Sequence, residues 1–162
     1  MKKQKGFSLI ELLIVVAIIL IIAAIAIPNL LKSRMAANES SAVGSLRTLT
    51  TAMIEYGNQC PNLGFPAGLV NLGPGAGTCA AAGIIDSVLG VAAPSKSGYN
   101  FTYTPGAANA AGVITTYNLL ALPITVGVTG QRAFCSIQDG VIHYNQGGAA
   151  CNPAVGGDPA IQ

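Results

Sequence analysis

Hydrophobic and polar positions divide the chain into three stretches. From Phe7 to Ile27 there are 21 positions with one ionisable side chain, Glu11. Apolar residues fall on every side of a 3.6-residue period there, which predicts a helix apolar all round. Such a helix spans about 31 Å at ~1.5 Å per residue, close to the ~30 Å hydrocarbon core of a bilayer. Pro28 follows at once; lacking an N–H, it is expected to kink or interrupt the helix. Between Asn29 and Gly57 the pattern changes. Leu31, Met35, Ala42, Leu46, Leu49, Met53 and Tyr56 recur at spacings of three, four and seven, while Lys32, Arg34, Asn38, Glu39, Ser45, Thr48 and Glu55 mark polar faces. This half is amphipathic and is expected to lay one stripe on a globular layer. Gly57-Asn58 is the expected stop.

Beyond Asn58 the period shortens. Residues 58–98 read mainly as loop, punctuated by Asn62-Leu63-Gly64-Phe65-Pro66 and Gly73-Pro74-Gly75-Ala76-Gly77, with a short helical turn over Ile84 to Leu89. Strand patterns follow. Tyr99 to Thr104 alternates aromatic and polar residues. Val113 to Leu122 is apolar and β-branched. Gln131 to Gln138 and Val141 to Tyr144 flank Asp139-Gly140, a favoured two-residue hairpin turn. The expected fold is α+β: one long N-terminal helix packed by its second half on an antiparallel sheet of three to four strands.

Charge sharpens the first stretch and narrows the function of the rest. Charged residues are 9% of the 162 positions, against about 25% in an average soluble domain. Lys2, Lys3 and Lys5 precede the apolar run, which places residues 1–6 in the cytoplasm and the body outside by the positive-inside rule. After Phe7 the chain sums to −1, so no basic patch is left to neutralise phosphates and a nucleic-acid partner is not expected. A secretory signal peptide, with Ala24-Ile25-Ala26 as cleavage site, would have a shorter apolar run and no carboxylate. A plain membrane anchor leaves Glu11 unexplained, because a carboxylate inside a bilayer costs about 2.5–3.5 kcal/mol on insertion scales.

Lys5-Gly6-Phe7-Ser8-Leu9-Ile10-Glu11-Leu12-Leu13-Ile14 resembles the prepilin signature of the type IV pilin and pseudopilin superfamily. The resemblance implies a membrane prepilin peptidase that cuts after Gly6 and methylates the new N-terminal Phe7. It makes Glu11 the family's acidic assembly position, and Pro28 falls where these proteins commonly carry a proline. A charge in lipid is tolerated when paired. Cleavage would give Phe7 an α-amine with a pKa of about 8, and Phe7 and Glu11, four apart, share a helix face. That amine can meet its own Glu11 or a neighbour's. The implied division is a leader (1–6), a transmembrane and filament-core half-helix (7–28) and a globular head including the second half of the helix (29–162).

Cys60, Cys79, Cys135 and Cys151 all lie in the part placed outside the cytoplasm, and an even count there reads as two disulfides. Three connectivities are possible. Cys60–Cys79 with Cys135–Cys151 is preferred, since it closes loops of ~20 and ~17 residues, each worth about 3 kcal/mol. The second pair also resembles the family's C-terminal disulfide-bounded region. No metal, cofactor or catalytic site is expected. No C-x-x-C spacing supports zinc, and the sole His143 is expected to project from a sheet face. The Gly-rich stretch lacks a phosphate-loop ending. Calcium, known in pseudopilin heads, would have only Asp86, Asp139 and Asp158 to bind it.

The implied function is a structural subunit of a type IV pilus filament, not an enzyme. Its implied partners are copies of itself, the prepilin peptidase, the inner-membrane pilus or secretion machinery and the membrane. It would be a single-pass inner-membrane protein before assembly and part of a cell-surface pilus after it. The alternatives are a pseudopilin of a type II secretion system in a periplasmic pseudopilus, and a membrane-anchored extracytoplasmic domain that never polymerises.

Overall fold

Helix α1 runs from Leu9 to Gln59 without interruption and carries Pro28 inside it. Of the kink or interruption expected at Pro28, the interruption does not occur: the proline removes one N–H, and the turns on either side remain helical. The structure, a computed structural model, describes residues 7–151 and 158–161. The chain divides into two compact units, one up to Arg34 and one from Met35 onward.

The first unit is the apolar part of α1. Leu9 to Leu31 present their large aliphatic side chains outward, and Leu31 is exposed although the periodicity assigns it to the buried stripe. In the second unit that stripe is real. Ala42, Leu46, Leu49, Ala52, Met53 and Tyr56 are buried and pack with Tyr99, Phe101, Tyr117, Leu119, Ala121 and Phe134 of the sheet. Leu46, Leu49 and Met53 are fully buried, and each such side chain contributes about 1.5–3 kcal/mol. Glu39 and Ser45 correct the polar reading, since both are buried.

The helix overruns the expected stop at Gly57. Cys60 N donates to Tyr56 O, and the left-handed glycine is instead Gly64, whose N–H donates to Cys60 O. A 3₁₀ turn, Leu69–Leu72, is the regular element of the following loop region and buries Leu69 and Leu72. The expected helical turn after Ile84 is a single turn in which Asp86 Oδ1 accepts from Val88 N and Leu89 N.

Five strands form an antiparallel meander in chain order: β1 (Ser95–Lys96), β2 (Tyr99–Pro105), β3 (Tyr117–Pro123), β4 (Arg132–Ile137) and β5 (Ile142–Gln146). Three to four were expected; the extra one, β1, is too short to show an alternation. It exists because Lys96 pairs with Tyr99 around Ser97 and Gly98, both at positive φ, the backbone of a two-residue hairpin turn. That turn type was expected at Asp139-Gly140. There the connection is longer: Gly140, at φ 75°, donates to Ile137 O, and Val141 N donates to Asp139 Oδ1. β3 begins at Tyr117 rather than Val113. Ile114 bonds across to Leu63 and Phe65 instead, which ties the early loop to the sheet.

In β2 and β3 buried residues alternate with more exposed ones, whereas four consecutive residues of β4, Ala133 to Ser136, are buried. Burial on both faces comes from the C-terminal segment. Cys135 is bonded to Cys151, Tyr144 N donates to Pro159 O, and Ile161 N donates to Ile142 O. The free edge of β5 is thereby covered, which guards it against pairing with another chain.

Candidate functional site

The N-terminal segment holds the candidate processing and assembly residues. Phe7 is 80% exposed and precedes α1, which starts at Leu9; Gly6 lies outside the described residues. Ser8 occupies the cap position, and its N–H donates to Glu11 Oε2 at 2.9 Å. A Glu three residues inside a helix start reaching back to the cap N–H is one half of a capping box. It satisfies one of the donors that every helix N-terminus leaves open, and it places a carboxylate at the positive end of the helix dipole. The Ser8-x-x-Glu11 spacing is the sequence signal of this cap.

Behind the cap, Leu9, Leu12, Leu13, Val16, Ala17 and Leu20 line a shallow apolar groove along the first unit. Among the described residues α1 is one helix long and apolar enough to cross a membrane, and none of its most apolar 18-residue window is buried. An outward ring of Leu, Ile and Val needs lipid or other helices around it.

The head is organised by structural rather than chemical contacts. The disulfides pair Cys60 with Cys79 and Cys135 with Cys151, at Cα–Cα distances of 5.9 and 5.8 Å, which is the preferred connectivity. The first joins the end of α1 to the loop region, where Tyr56 Oη also donates to Cys79 O at 2.7 Å. Glu39, read from sequence as marking a polar face, is a densely bonded carboxylate. Its Oε1 accepts from Gln131 N and Arg132 N, and its Oε2 accepts from Arg132 Nε at 2.8 Å and Nη2 at 2.7 Å. The guanidinium also lies over the rings of Phe134 and Tyr144. α1 is thus fixed to the start of β4 by both charge and backbone.

His143 sits on β5, opposite Cys135, with Nδ1 2.9 Å from Asp158 O. No group of three or more His, Cys, Asp or Glu residues able to hold a metal occurs among the described residues. Burial raises the pKa values of Tyr56, Tyr99, Tyr103 and Tyr117 above the ordinary value. Nearby Glu39 adds to the rise at Tyr99 and nearby Tyr117 adds at Tyr103. Three of these hydroxyls donate to backbone carbonyls: Tyr56 to Cys79, Tyr99 to Arg132 and Tyr103 to Pro66. They are core tyrosines with satisfied tips.

A long N-terminal helix with an apolar first half, and an antiparallel sheet packed on its second half, form an α+β fold consistent with that of type IV pilins. Comparison with known proteins reaches the same class from the sequence. The family described as the prokaryotic N-terminal methylation motif matches residues 1–27. The chain is similar to the type IV major pilin protein PilA of Myxococcus xanthus, 50% identical over 54 residues, which are 33% of this chain and 24% of that one. It is 62% identical over 40 residues to the type IV wide pilus major component PilA4 of Thermus thermophilus, covering 25% of this chain and 30% of that one. It is 39% identical over 56 residues to the type II secretion system core protein G of Vibrio cholerae, covering 35% and 38%. The matches thus span about a quarter to two-fifths of these relatives. No solved structure matches the chain significantly. The resemblance to the pilin and pseudopilin superfamily therefore holds over the N-terminal third.

Proposed function

We propose that the chain is a structural subunit of a type IV pilus filament. A prepilin peptidase cuts it between Gly6 and Phe7 and methylates Phe7. The mature helix waits in the inner membrane with the head outside, and then packs with its copies in the filament core. The observation that carries this reading is the methylation motif at residues 1–27 placed on a fully outward-facing apolar helix. Such a helix passes from lipid to a bundle of like helices without exposing its surface to water. Glu11 would neutralise the amine created at Phe7, and Pro28 would let the helix bend where it leaves the membrane. The role is mechanical rather than enzymatic, and in the head Glu39 and Arg132 are committed to each other.

Similarity to core protein G supports a second reading, a pseudopilin of a type II secretion system. Electron microscopy of fibres sheared from the cell surface, with antibody against the head, separates the two. A pilin decorates long surface fibres that vanish when its gene is deleted. A pseudopilin, or a domain that never polymerises, leaves the fibres unlabelled.

A further inference from the structure

We infer that the outward face of α1 within the head is a contact for a second copy of this chain, in which Arg47 of one head pairs with Glu55 of the next. Both residues are exposed. Eight positions separate them, about 12 Å at ~1.5 Å per residue, which exceeds the spacing of three or four at which charges on one helix pair. Among the described residues the ion pair of the head is Arg132–Glu39, and neither Arg47 nor Glu55 meets an opposite charge. The head unit is poor in charge: besides Arg132, its cations are Arg47 and Lys96. An unanswered Arg and an unanswered Glu on one helix face therefore stand out against a nearly neutral surface.

The two ends of the face carry opposite signs. At one end Arg47 and Arg132 border a cleft beside Glu39, two guanidiniums against one carboxylate. At the other, Glu55 borders a groove with Ile84 and Ile85, and Asp86 follows them in the chain. A copy of the same face, held parallel and shifted by two turns, brings its Glu55 to Arg47. That shift repeats on the next copy, so the contact is head-to-tail and stays open, as a filament requires. The parallel arrangement rests on the filament reading proposed above. The surface between the charges suits close contact. Thr48 Oγ1 donates to Gly44 O and Thr51 Oγ1 donates to Arg47 O, so both hydroxyls keep partners when water leaves. Ile54 is 58% exposed on the same face. A side chain at Gly44 would meet nothing within 4 Å. Glycine weakens a helix relative to alanine, and the head gives no reason for one there, whereas an approaching backbone does.

The test uses fibres sheared from cells whose only copy of the gene is the variant. Arg47→Glu and Glu55→Arg each set like charges against each other, which should lower fibre yield by about tenfold or more. The variant with both changes restores the pairing with its signs exchanged, and should return fibres to near the parent's yield. Normal yield from the single variants means solvated charges, and no rescue by the double variant means damage to the head; either result overturns the inference. The arrangement is read from Arg47→Lys fibres, which keep the charge and gain an amine that a zero-length carbodiimide couples to a touching carboxylate. The expected product is a ladder of dimers, trimers and longer chains, joined between position 47 and Glu55 in the linked peptides. Dimers alone mean a closed two-fold pair and overturn the parallel contact. Fibres without the linked peptide overturn the contact and leave the filament standing. A parent chain that forms no fibres overturns the filament reading and the contact with it.

Discussion

Glu39 shows at the scale of one residue how position overrides composition. Its residue type groups it with Asn38 and Glu55, although on the helical wheel it shares a face with Ala42 and Leu46, three and seven residues on, in the buried stripe. Its partners are 92 and 93 positions away, and two of them are backbone N–H groups, which no residue type advertises. The physics is nonetheless simple: four donors converge on one carboxylate, and a carboxylate is buried only when so surrounded. Glu39→Gln keeps an oxygen for the two amides and removes the charge that holds the guanidinium. Hydrogen bonds to charged groups contribute about 1.5–3 kcal/mol. Arg132 is 43% exposed, so the lower end applies, about 1–2 kcal/mol after screening. Thermal unfolding of the detergent-solubilised chain, followed by near-UV circular dichroism, should show a melting point lower by several degrees. An unchanged melting point would mean that the pair holds nothing.

At the scale of elements, legibility followed the locality of the signal. The prepilin-like segment is ten contiguous residues and could be read whole, and β2 announces itself through alternating Tyr99, Phe101 and Tyr103. β1 could not be read, because two residues carry no period. Its turn depends on Ser97 tolerating φ 50° beside Gly98. The covering of β5 by residues 158–161 was equally hidden, since it is made by backbone pairing across the Cys135–Cys151 link. Glu11 sits between these cases: its place in the motif is legible, and its bond to Ser8 N follows only once the helix is known to start at Leu9. That bond gives the residue two separable roles. Glu11→Ala should still be inserted and cleaved, because Lys2, Lys3, Lys5, the apolar run and Gly6 are intact. Filaments should nevertheless be few or absent, since an uncompensated Phe7 amine buried in a helix core costs about 3–5 kcal/mol. Glu11→Gln decides between the roles, because it retains an acceptor for Ser8 N and loses the charge. Counting filaments by electron microscopy, the charge account expects Gln to fail like Ala. Normal filaments from the Gln variant would make the helix cap the role that matters.

The whole molecule joins an apolar helix that needs company to a head that is self-sufficient. The head's core rests on tyrosines whose hydroxyls stay protonated inside it. Burial raises the folded pKa values of Tyr56, Tyr99, Tyr103 and Tyr117, so near pH 10 the unfolded chain loses protons that the folded chain keeps. Stability should therefore be level with respect to these groups below about pH 10. It should fall as pH rises beyond that, by up to about 1.4 kcal/mol per pH unit for each tyrosine. Phenolate absorbance should accordingly show these four tyrosines ionising in a cooperative step as the head unfolds. Independent ionisation of these four without loss of structure would contradict the packing described.

Filament assembly through a processed N-terminal helix is the central claim, and the intact mass of the protein recovered from sheared surface fibres tests it most directly. The account predicts one species beginning at Phe7, with one added methyl and four hydrogens fewer for the Cys60–Cys79 and Cys135–Cys151 bonds. Gly6→Val, which puts a β-branched side chain before the scissile bond, should leave the uncut chain in the membrane and none in fibres. Full-length chain beginning at Met1 in wild-type fibres, or its complete absence from both surface and periplasmic filaments, would contradict the account.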